Sequence, residues 1–118
     1  MRDRGQKFEQ LAKNHLKNRG LVPICDNFNS RVGEIDLIMS DNDVLVFIEV
    51  KYRTSNSFGG AIAAVSRTKQ HKIIKTAMFY CLRNNINFEH VASRFDVVAI
   101  SGSNEPFDIE WVKSAFPT

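Results

Sequence analysis

The chain has 118 residues, of which 43% are hydrophobic, and its 16 basic and 13 acidic residues give a net charge of +3. This length suits a single domain around one hydrophobic core, and the weak positive charge permits a polyanionic partner without requiring one. No apolar run is long enough to span a bilayer, and Cys25 and Cys81 form neither a metal-binding pair nor a disulfide framework. Because the first residues also lack a signal-peptide core, we expect a cytoplasmic protein with reduced thiols and no membrane association.

The first half of the chain predicts a helix followed by three strands. Apolar residues at helical spacing indicate a helix over 4–18, which Gly20 would end. A strand over 21–28 contains Pro23 and is therefore expected at a sheet edge. Strands over 34–39 and 44–50 flank a short polar turn and should form an antiparallel hairpin. The second hairpin strand is apolar on both faces, which favours a central position.

The second half predicts a helix between two parallel strands. A polar loop over 53–60, with Phe58 and a Gly-Gly pair, has the composition of a mobile flap. Ser66 should cap a helix over 67–82, whose apolar stripe is Ile73, Ile74, Ala77 and Cys81, with Met78 and Tyr80 beside it.

A strand over 94–101 completes a βαβ unit, so it should lie parallel to the strand at 44–50, and residues 107–112 would add a short fifth strand. The predicted fold class is α/β (or α+β), with a small mixed sheet flanked by helices.

Three acids and one lysine interrupt the otherwise apolar hairpin strands. Since side chains alternate faces along a strand, Glu34 and Asp36 should share one face of the first hairpin strand, and Glu49 and Lys51 should share one face of the second. If the register brings these two faces together, the three carboxylates and the ammonium meet on one sheet surface. Charges inside apolar strands cost stability unless they are paired or bound to a metal. Two carboxylates on neighbouring strands suit a hard cation such as Mg²⁺, and the backbone carbonyl of Val50 can add a ligand. We expect this cluster where the strands pass beneath the first helix.

The pattern Asp36…Glu49-x-Lys51 is also suited to hydrolysis of a phosphodiester. Lys51 should point the same way as Glu49, where it can hold an attacking water or stabilise charge on a phosphate. The alternative is that the same three side chains form a structural ion-pair cluster.

Beyond this set, five blocks of the sequence resemble known proteins. Asp…Glu-x-Lys on a hairpin resembles the PD-(D/E)xK nuclease superfamily, which shares the restriction-endonuclease-like fold. The order and spacing of the blocks resemble the YraN family, which is bacterial, small and single-domain and is similar in fold to the archaeal Holliday junction resolvases. The blocks are Gly33-Glu34-Ile35-Asp36-Leu37-Ile38, Phe47-Ile48-Glu49-Val50-Lys51-x-Arg53, Phe58-Gly59, Val65 with Lys69, and Arg94-Phe95-Asp96-Val97-Val98.

The resemblance implies roles for individual residues. Asp36 and Glu49 match metal ligands, Lys51 matches the catalytic lysine, and Glu9 matches a helix glutamate that completes the acidic site. The family usually has glycine before that glutamate, whereas this chain has Phe8.

Other polar and aromatic residues stay open between two interpretations. Glu34 is either a further metal ligand or a solvated acid paired with Arg31 or Arg53. Candidates for phosphate contact near the cut site, with a solvated surface position as the alternative, are Arg53, Lys69 and Gln70. Tyr52 and Phe58 could stack on bases, and Phe58 could instead anchor its loop.

Taken together, the residues and the resemblance predict a Mg²⁺-dependent endonuclease, with Mn²⁺ as a substitute cation. The small chain has no recognition helix or zinc module, which favours structure-selective cleavage of branched DNA. Because resolving a junction needs two cuts, a homodimer is expected. The alternative is a non-catalytic nucleic-acid-binding or adaptor module that retains the nuclease fold.

Overall fold

The computed structural model describes residues 3–54 and 65–118, and in these ranges the elements follow the predicted order. Residues 55–64 lie outside the described residues. They include most of the loop predicted over 53–60, so the predictions for that loop and for Phe58 lie outside the described residues as well. Neither described helix is long and apolar enough to cross a membrane. The elements are α1 (Asp3–Lys17), β1 (Val22–Asn29), β2 (Glu34–Asp41), β3 (Val44–Arg53), α2 (Arg67–Arg83), β4 (Ser93–Ser101) and β5 (Asp108–Phe116).

The five strands form one mixed sheet in the order β1-β2-β3-β4-β5. Strands β3 and β4 are parallel and the other neighbours are antiparallel, which confirms the hairpin, the βαβ unit, the edge position of β1 and the central position of β3. Strand β5 continues to Phe116, beyond its predicted end. A register shift between Phe95 and Val97 and the left-handed Ser114 (φ 50°) interrupt the alternation on which the prediction depended.

The sheet separates two hydrophobic clusters, one under each helix. α1 buries Phe8, Ala12 and Leu16 against one face, and α2 covers the other. β3 contributes to both, because its side chains alternate: Val46 and Ile48 face α1, whereas Leu45 and Phe47 face α2. The next two positions of the α2-facing series are Glu49 and Lys51.

The start of α2 is held firmly by local hydrogen bonds. The Ser66 hydroxyl accepts a bond from the Lys69 N–H (3.1 Å), and the Gln70 side-chain amide donates to the Val65 carbonyl (3.1 Å). The predicted apolar stripe is confirmed at Ile73, Ala77 and Cys81, which are buried, and Ile74 is partly buried. Of the two residues beside it, Tyr80 is buried and Met78 is exposed. α2 therefore presents its first turn, including Lys69, in a fixed position.

Tyr52 is engaged inside the fold. Its ring stacks on Phe8 with centroids 3.9 Å apart, and its hydroxyl donates to the Gly102 carbonyl (2.7 Å). These contacts give Tyr52 a role in packing α1 onto the sheet, and its stacking on bases stays a prediction. The same contact gives the large side chain of Phe8 a packing partner on the sheet.

Asp96 is a buried carboxylate that is saturated by donors. It accepts bonds from the guanidinium of Arg94 (3.0 and 3.1 Å), from the Trp111 indole N–H (2.9 Å) and from the Ser114 N–H (2.9 Å). Arg94 in turn reaches Asp41 at the end of β2 (2.9 Å). This network ties β4 to β5 and to the hairpin, so the block around Asp96 serves the fold.

Candidate metal centre

The candidate centre lies where the hairpin opens. Pairing between β2 and β3 runs from Asp41 opposite Val44 to Leu37 opposite Ile48, while β2 continues along β1 and β3 continues along β4. The next residues beyond Leu37 and Ile48 are Asp36 and Glu49. The Asp36 carboxylate accepts a hydrogen bond from the Val50 N–H (2.8 Å), so a side chain takes the place of a ladder partner.

Glu49 and Lys51 lie on the sheet face covered by α2. Their alternation with Leu45 and Phe47 requires this, and the contact between Glu49 and Lys69 of α2 agrees with it. The predicted location beneath the first helix is therefore wrong. The alternation of side chains along β3 could not show which helix covers the face with Glu49 and Lys51, since both faces of this strand are apolar.

Glu49 is surrounded by two ammonium groups. Its Oε2 lies 3.6 Å from Lys51 Nζ and 3.4 Å from Lys69 Nζ, and its side chain is only 6% exposed. The two lysine side chains are 30% and 44% exposed, so the cluster is open to solvent on their side. The two partly exposed lysines beside the buried acid can contact a phosphate that approaches from the solvent.

Asp36 is the strongly perturbed group of the cluster. Burial, and then the charge of Glu49, raise the pKa of Asp36 from 3.8 to about 7. The hydrogen bond from Val50 and the charge of Lys69 oppose this rise, while Glu34 adds to it. A carboxyl group whose pKa is raised by burial and by a neighbouring acid is typical of functional sites.

Glu34 contributes charge to the centre, but the strand is irregular beside it. Ile35 packs in the α2 cluster and Leu37 in the α1 cluster, so the simple alternation predicted for Glu34 and Asp36 breaks at Asp36. Asn27, at the same level of β1, has a left-handed backbone (φ 51°). The irregularity in β2 therefore lies at Asp36, the residue whose pKa is raised.

Glu9 lies on the α1 side of the sheet. It lines a small polar cavity of about 240 Å³ together with Lys13, Asp26 and Asn27. Within residues 3–54 and 65–118, no three His, Cys, Asp or Glu side chains come together closely enough to hold a metal. The structure thus brings Asp36 and Glu49 together, but neither Glu9 nor Glu34 joins them to make a group of three acids. The roles of Glu9 and Glu34 as metal ligands stay predictions.

The residues present nevertheless fit a Mg²⁺ ion. Mg²⁺ is commonly held in proteins by one or two carboxylates, with waters and substrate phosphate completing its octahedron. Asp36 and Glu49 are two such hard oxygen donors, and their mutual repulsion is what a cation would relieve. The N–H of Val50 donates to Asp36, and its carbonyl stays a predicted third ligand.

The predicted phosphate-contact residues fall at different places. Lys69 contacts the acidic centre directly. Gln70 uses its amide nitrogen to hold the helix start, which gives it a structural role whether or not it also meets a phosphate. Arg53 is exposed at the end of β3, on the same side as Glu49 and Lys51 by strand parity, and its backbone carbonyl accepts a bond from Gly102.

The contact between Lys69 and Glu49 is the feature that sequence reasoning missed. A right-handed crossover from β3 brings the helix back over the carboxyl end of that strand. The first turn of α2 must therefore lie near Glu49 and Lys51. The signal was present in the predicted βαβ unit, which fixes the proximity of Lys69 to the acidic pair.

Comparisons with known proteins agree with the resemblance to YraN. Residues 8–100 match the uncharacterised protein family UPF0102. A UPF0102 protein of Aeromonas hydrophila is 49% identical over 113 residues, which cover 96% of this chain and 84% of the relative. A UPF0102 protein of Colwellia psychrerythraea is 48% identical over 114 residues, covering 97% and 88%. The UPF0102 protein YraN of Escherichia coli O1:K1 is 47% identical over 112 residues, covering 95% and 82%.

Proposed function

The chain belongs to the UPF0102 family, and we propose that it is a Mg²⁺-dependent endonuclease that cleaves branched or otherwise structured DNA. One observation carries the proposal. At the open end of the hairpin, the charge of Glu49 helps to raise the pKa of Asp36 to about 7, and two ammonium groups contact Glu49. This combination of paired acids and nearby lysines suits phosphodiester hydrolysis.

Asp36 and Glu49 would hold the cation, with Mn²⁺ able to replace Mg²⁺. The Val50 carbonyl, Glu9 and Glu34 are the further candidate ligands. A bound divalent cation supplies positive charge that polarises a phosphoryl oxygen and offsets the negative charge that builds on the phosphate.

Lys51 is proposed as the catalytic lysine. Its side chain is 30% exposed, and its ammonium, held beside Glu49, can donate hydrogen bonds to an attacking water or to a non-bridging phosphate oxygen. Lys69 approaches the same carboxylate from α2 (3.4 Å). A phosphate that entered between the two lysines would gain donors from both the sheet and the helix, which would fix its orientation.

The charge of α2 supports a polyanionic substrate. This helix contains five Lys or Arg residues and no Asp or Glu, which leaves 11 basic and 13 acidic residues in the rest of the chain. The positive charge of the protein is therefore concentrated on the helix that begins at the candidate centre. Its exposed basic positions in the first half are Arg67, His71, Lys72 and Lys75. These side chains can contact phosphates without reading base sequence.

The direct test is cleavage of a panel of DNAs by the purified protein. Four-way junctions, flaps, nicked duplexes, linear duplexes and single strands are incubated with Mn²⁺, with Mg²⁺ or with EDTA. We expect metal-dependent cleavage of at least one branched substrate, and loss of cleavage with retained DNA binding for Asp36→Asn. An Asp36→Asn protein that cuts as fast as wild type would rule out the assigned role.

A non-catalytic DNA-binding or adaptor module is the second candidate. The observation that favours it is the pairing of Glu49 with two lysines, because such a cluster can satisfy its own charges without a cation. A thermal shift titration distinguishes the two. A metal site should raise the melting temperature as Mn²⁺ is added, whereas a self-satisfied ion cluster should not respond.

A further inference from the structure

A groove of about 630 Å³ lies between the second half of α2 and the chain that joins β1 to β2. Its walls include three apolar side chains, Phe28, Phe79 and Leu82, and two arginines, Arg31 and Arg83. Its other described lining residues are uncharged, so the part of the groove that the structure describes contains no acid. Aromatic rings beside guanidinium groups suit a nucleotide, because its base can stack on a ring and its phosphate can accept hydrogen bonds from arginine.

Arg83 is placed at the wall of this groove by an aromatic contact. Its guanidinium lies 5.6 Å from the centroid of the Phe28 ring, and Phe28 packs edge-on against Tyr80 with centroids 5.2 Å apart. Phe79, four residues before Arg83 on the same helix, is 48% exposed and is the more exposed of the two rings that line the groove. A base can therefore stack on Phe79 while Arg83 contacts the adjoining phosphate.

An adjoining groove of about 830 Å³ shares Phe79 and Leu82 but differs in charge. Both Lys75 and Glu89 line it, so a positive and a negative side chain offset each other there. The charges therefore favour a polyanionic ligand in the smaller groove rather than in the larger one.

The smaller groove lies along the same side of α2 as the candidate metal centre. Side chains three or four residues apart share one stripe of a helix, and such a stripe runs through Lys69, Lys72, Thr76, Phe79 and Arg83. Lys69 contacts Glu49 at one end, and Phe79 and Arg83 line the groove at the other. From Lys69 to Phe79 the helix rises about 15 Å, which about four nucleotides span when their bases are stacked.

We propose that the smaller groove binds an unpaired nucleotide in a single-stranded arm of the DNA, about four nucleotides from the phosphate at the candidate centre. The base stacks on Phe79, and Arg31 and Arg83 contact the phosphates on its two sides. Bases inside a duplex are stacked on their neighbours and cannot enter the groove, so the protein selects DNA with a single-stranded arm over continuous duplex. This selection rests on the proposed nuclease function and specifies which branched DNA it uses.

The test is binding of a fluorescently labelled single strand of about 12 thymidine nucleotides, measured by anisotropy in EDTA at low salt. Phe79→Ala should weaken binding at least fivefold, because it removes one stacking contact, whereas Phe79→Tyr keeps the ring and should bind like wild type. Met78→Ala is the matched control, because Met78 is an exposed apolar residue (50%) of the same helix that lines the larger groove and not the smaller one. All three variants should keep the circular dichroism spectrum of the wild type.

Salt dependence tests the two arginines separately from the ring. For single strands, each phosphate contact contributes about 0.7 to the slope of log affinity against log salt. Arg31→Gln and Arg83→Gln should each reduce the slope by about this amount, whereas Phe79→Ala should leave it unchanged. A role in folding alone would not produce this difference.

The length of the arm tests the distance to the centre. Duplexes with single-stranded arms of increasing length should bind more tightly up to about four nucleotides and equally well beyond that length. Binding that is the same for Phe79→Ala and wild type, or that does not depend on arm length, would overturn the proposal and leave the nuclease function untouched. Arm-dependent binding by a protein that cleaves no DNA with Mn²⁺ would instead contradict the nuclease function while the groove kept its ligand.

Discussion

Replacing Asp36 with asparagine is expected to stabilise the metal-free protein, although it removes a candidate catalytic group. Asparagine keeps an oxygen that can accept the hydrogen bond from the Val50 N–H. It removes a charge that is penalised by burial and repelled by Glu49, which together raise the pKa of Asp36 from 3.8 to about 7. At pH 8 this penalty corresponds to about 4 kcal/mol of unfolding free energy.

The stabilisation should depend on pH in a defined direction. Because the folded chain holds the Asp36 proton more tightly than the unfolded chain, the contribution of this group to wild-type stability is fully present below pH 3.8. It is lost as the pH rises through 7. Asparagine does not titrate, so the advantage of the variant should grow by about 1.4 kcal/mol per pH unit across this range and level off above it.

The measurement is urea unfolding in EDTA at pH 5, 6, 7 and 8. Between pH 5 and pH 8, Asp36→Asn should gain about 3 kcal/mol over wild type. Asp43→Asn is the matched control, because Asp43 is exposed in the turn at the other end of the hairpin, and its effect should be small at every pH. A difference between Asp36→Asn and wild type that does not change with pH would refute the raised pKa assigned to Asp36.

Three further predictions concern the centre and its support. Mn²⁺ affinity, measured by calorimetry, should fall by about tenfold per pH unit below 7, because the cation must displace the Asp36 proton; a flat profile from pH 5 to 7 would contradict this. Lys69→Met should raise Mn²⁺ affinity roughly five- to tenfold, because a cation 3.4 Å from Glu49 is removed, and should weaken binding to DNA; reduced metal affinity would disprove the assigned competition. Asp96→Asn should lower the unfolding free energy in urea by about 2 kcal/mol, because Arg94 would lose its fully buried counter-charge and keep only the partly exposed Asp41. The Mn²⁺ affinity should stay unchanged, and a changed affinity would connect this network to the centre.

The sequence was sufficient to predict much of the fold because its local signals agree with one another. Ser66 caps the helix that it was expected to cap, and the apolar run before Glu49 does occupy the centre of the sheet. Strand β5 was underestimated where Ser114 breaks the backbone pattern. The alternation of side chains marks a strand only where the strand is regular, so the predicted length of an irregular strand is too short.

The sequence was sufficient to predict which residues form the candidate centre, but not which helix covers it. Period-two alternation places Glu49 and Lys51 together from sequence alone. It does not say which helix covers them, since both faces of β3 are apolar, and it does not reveal that the alternation breaks at Asp36. The engagement of Tyr52 with Phe8 is likewise a tertiary contact, made between residues 44 positions apart in the sequence.

Direct calorimetric titration with Mn²⁺ tests most directly whether Asp36 and Glu49 form a cation site. At pH 8, we expect the wild-type protein and Asp43→Asn to bind Mn²⁺ equally well. Asp36→Asn and Glu49→Gln should each bind at least a hundredfold more weakly, because each removes one of the two charged ligands. Equal affinities for all four proteins would contradict the metal centre and the nuclease proposal that depends on it.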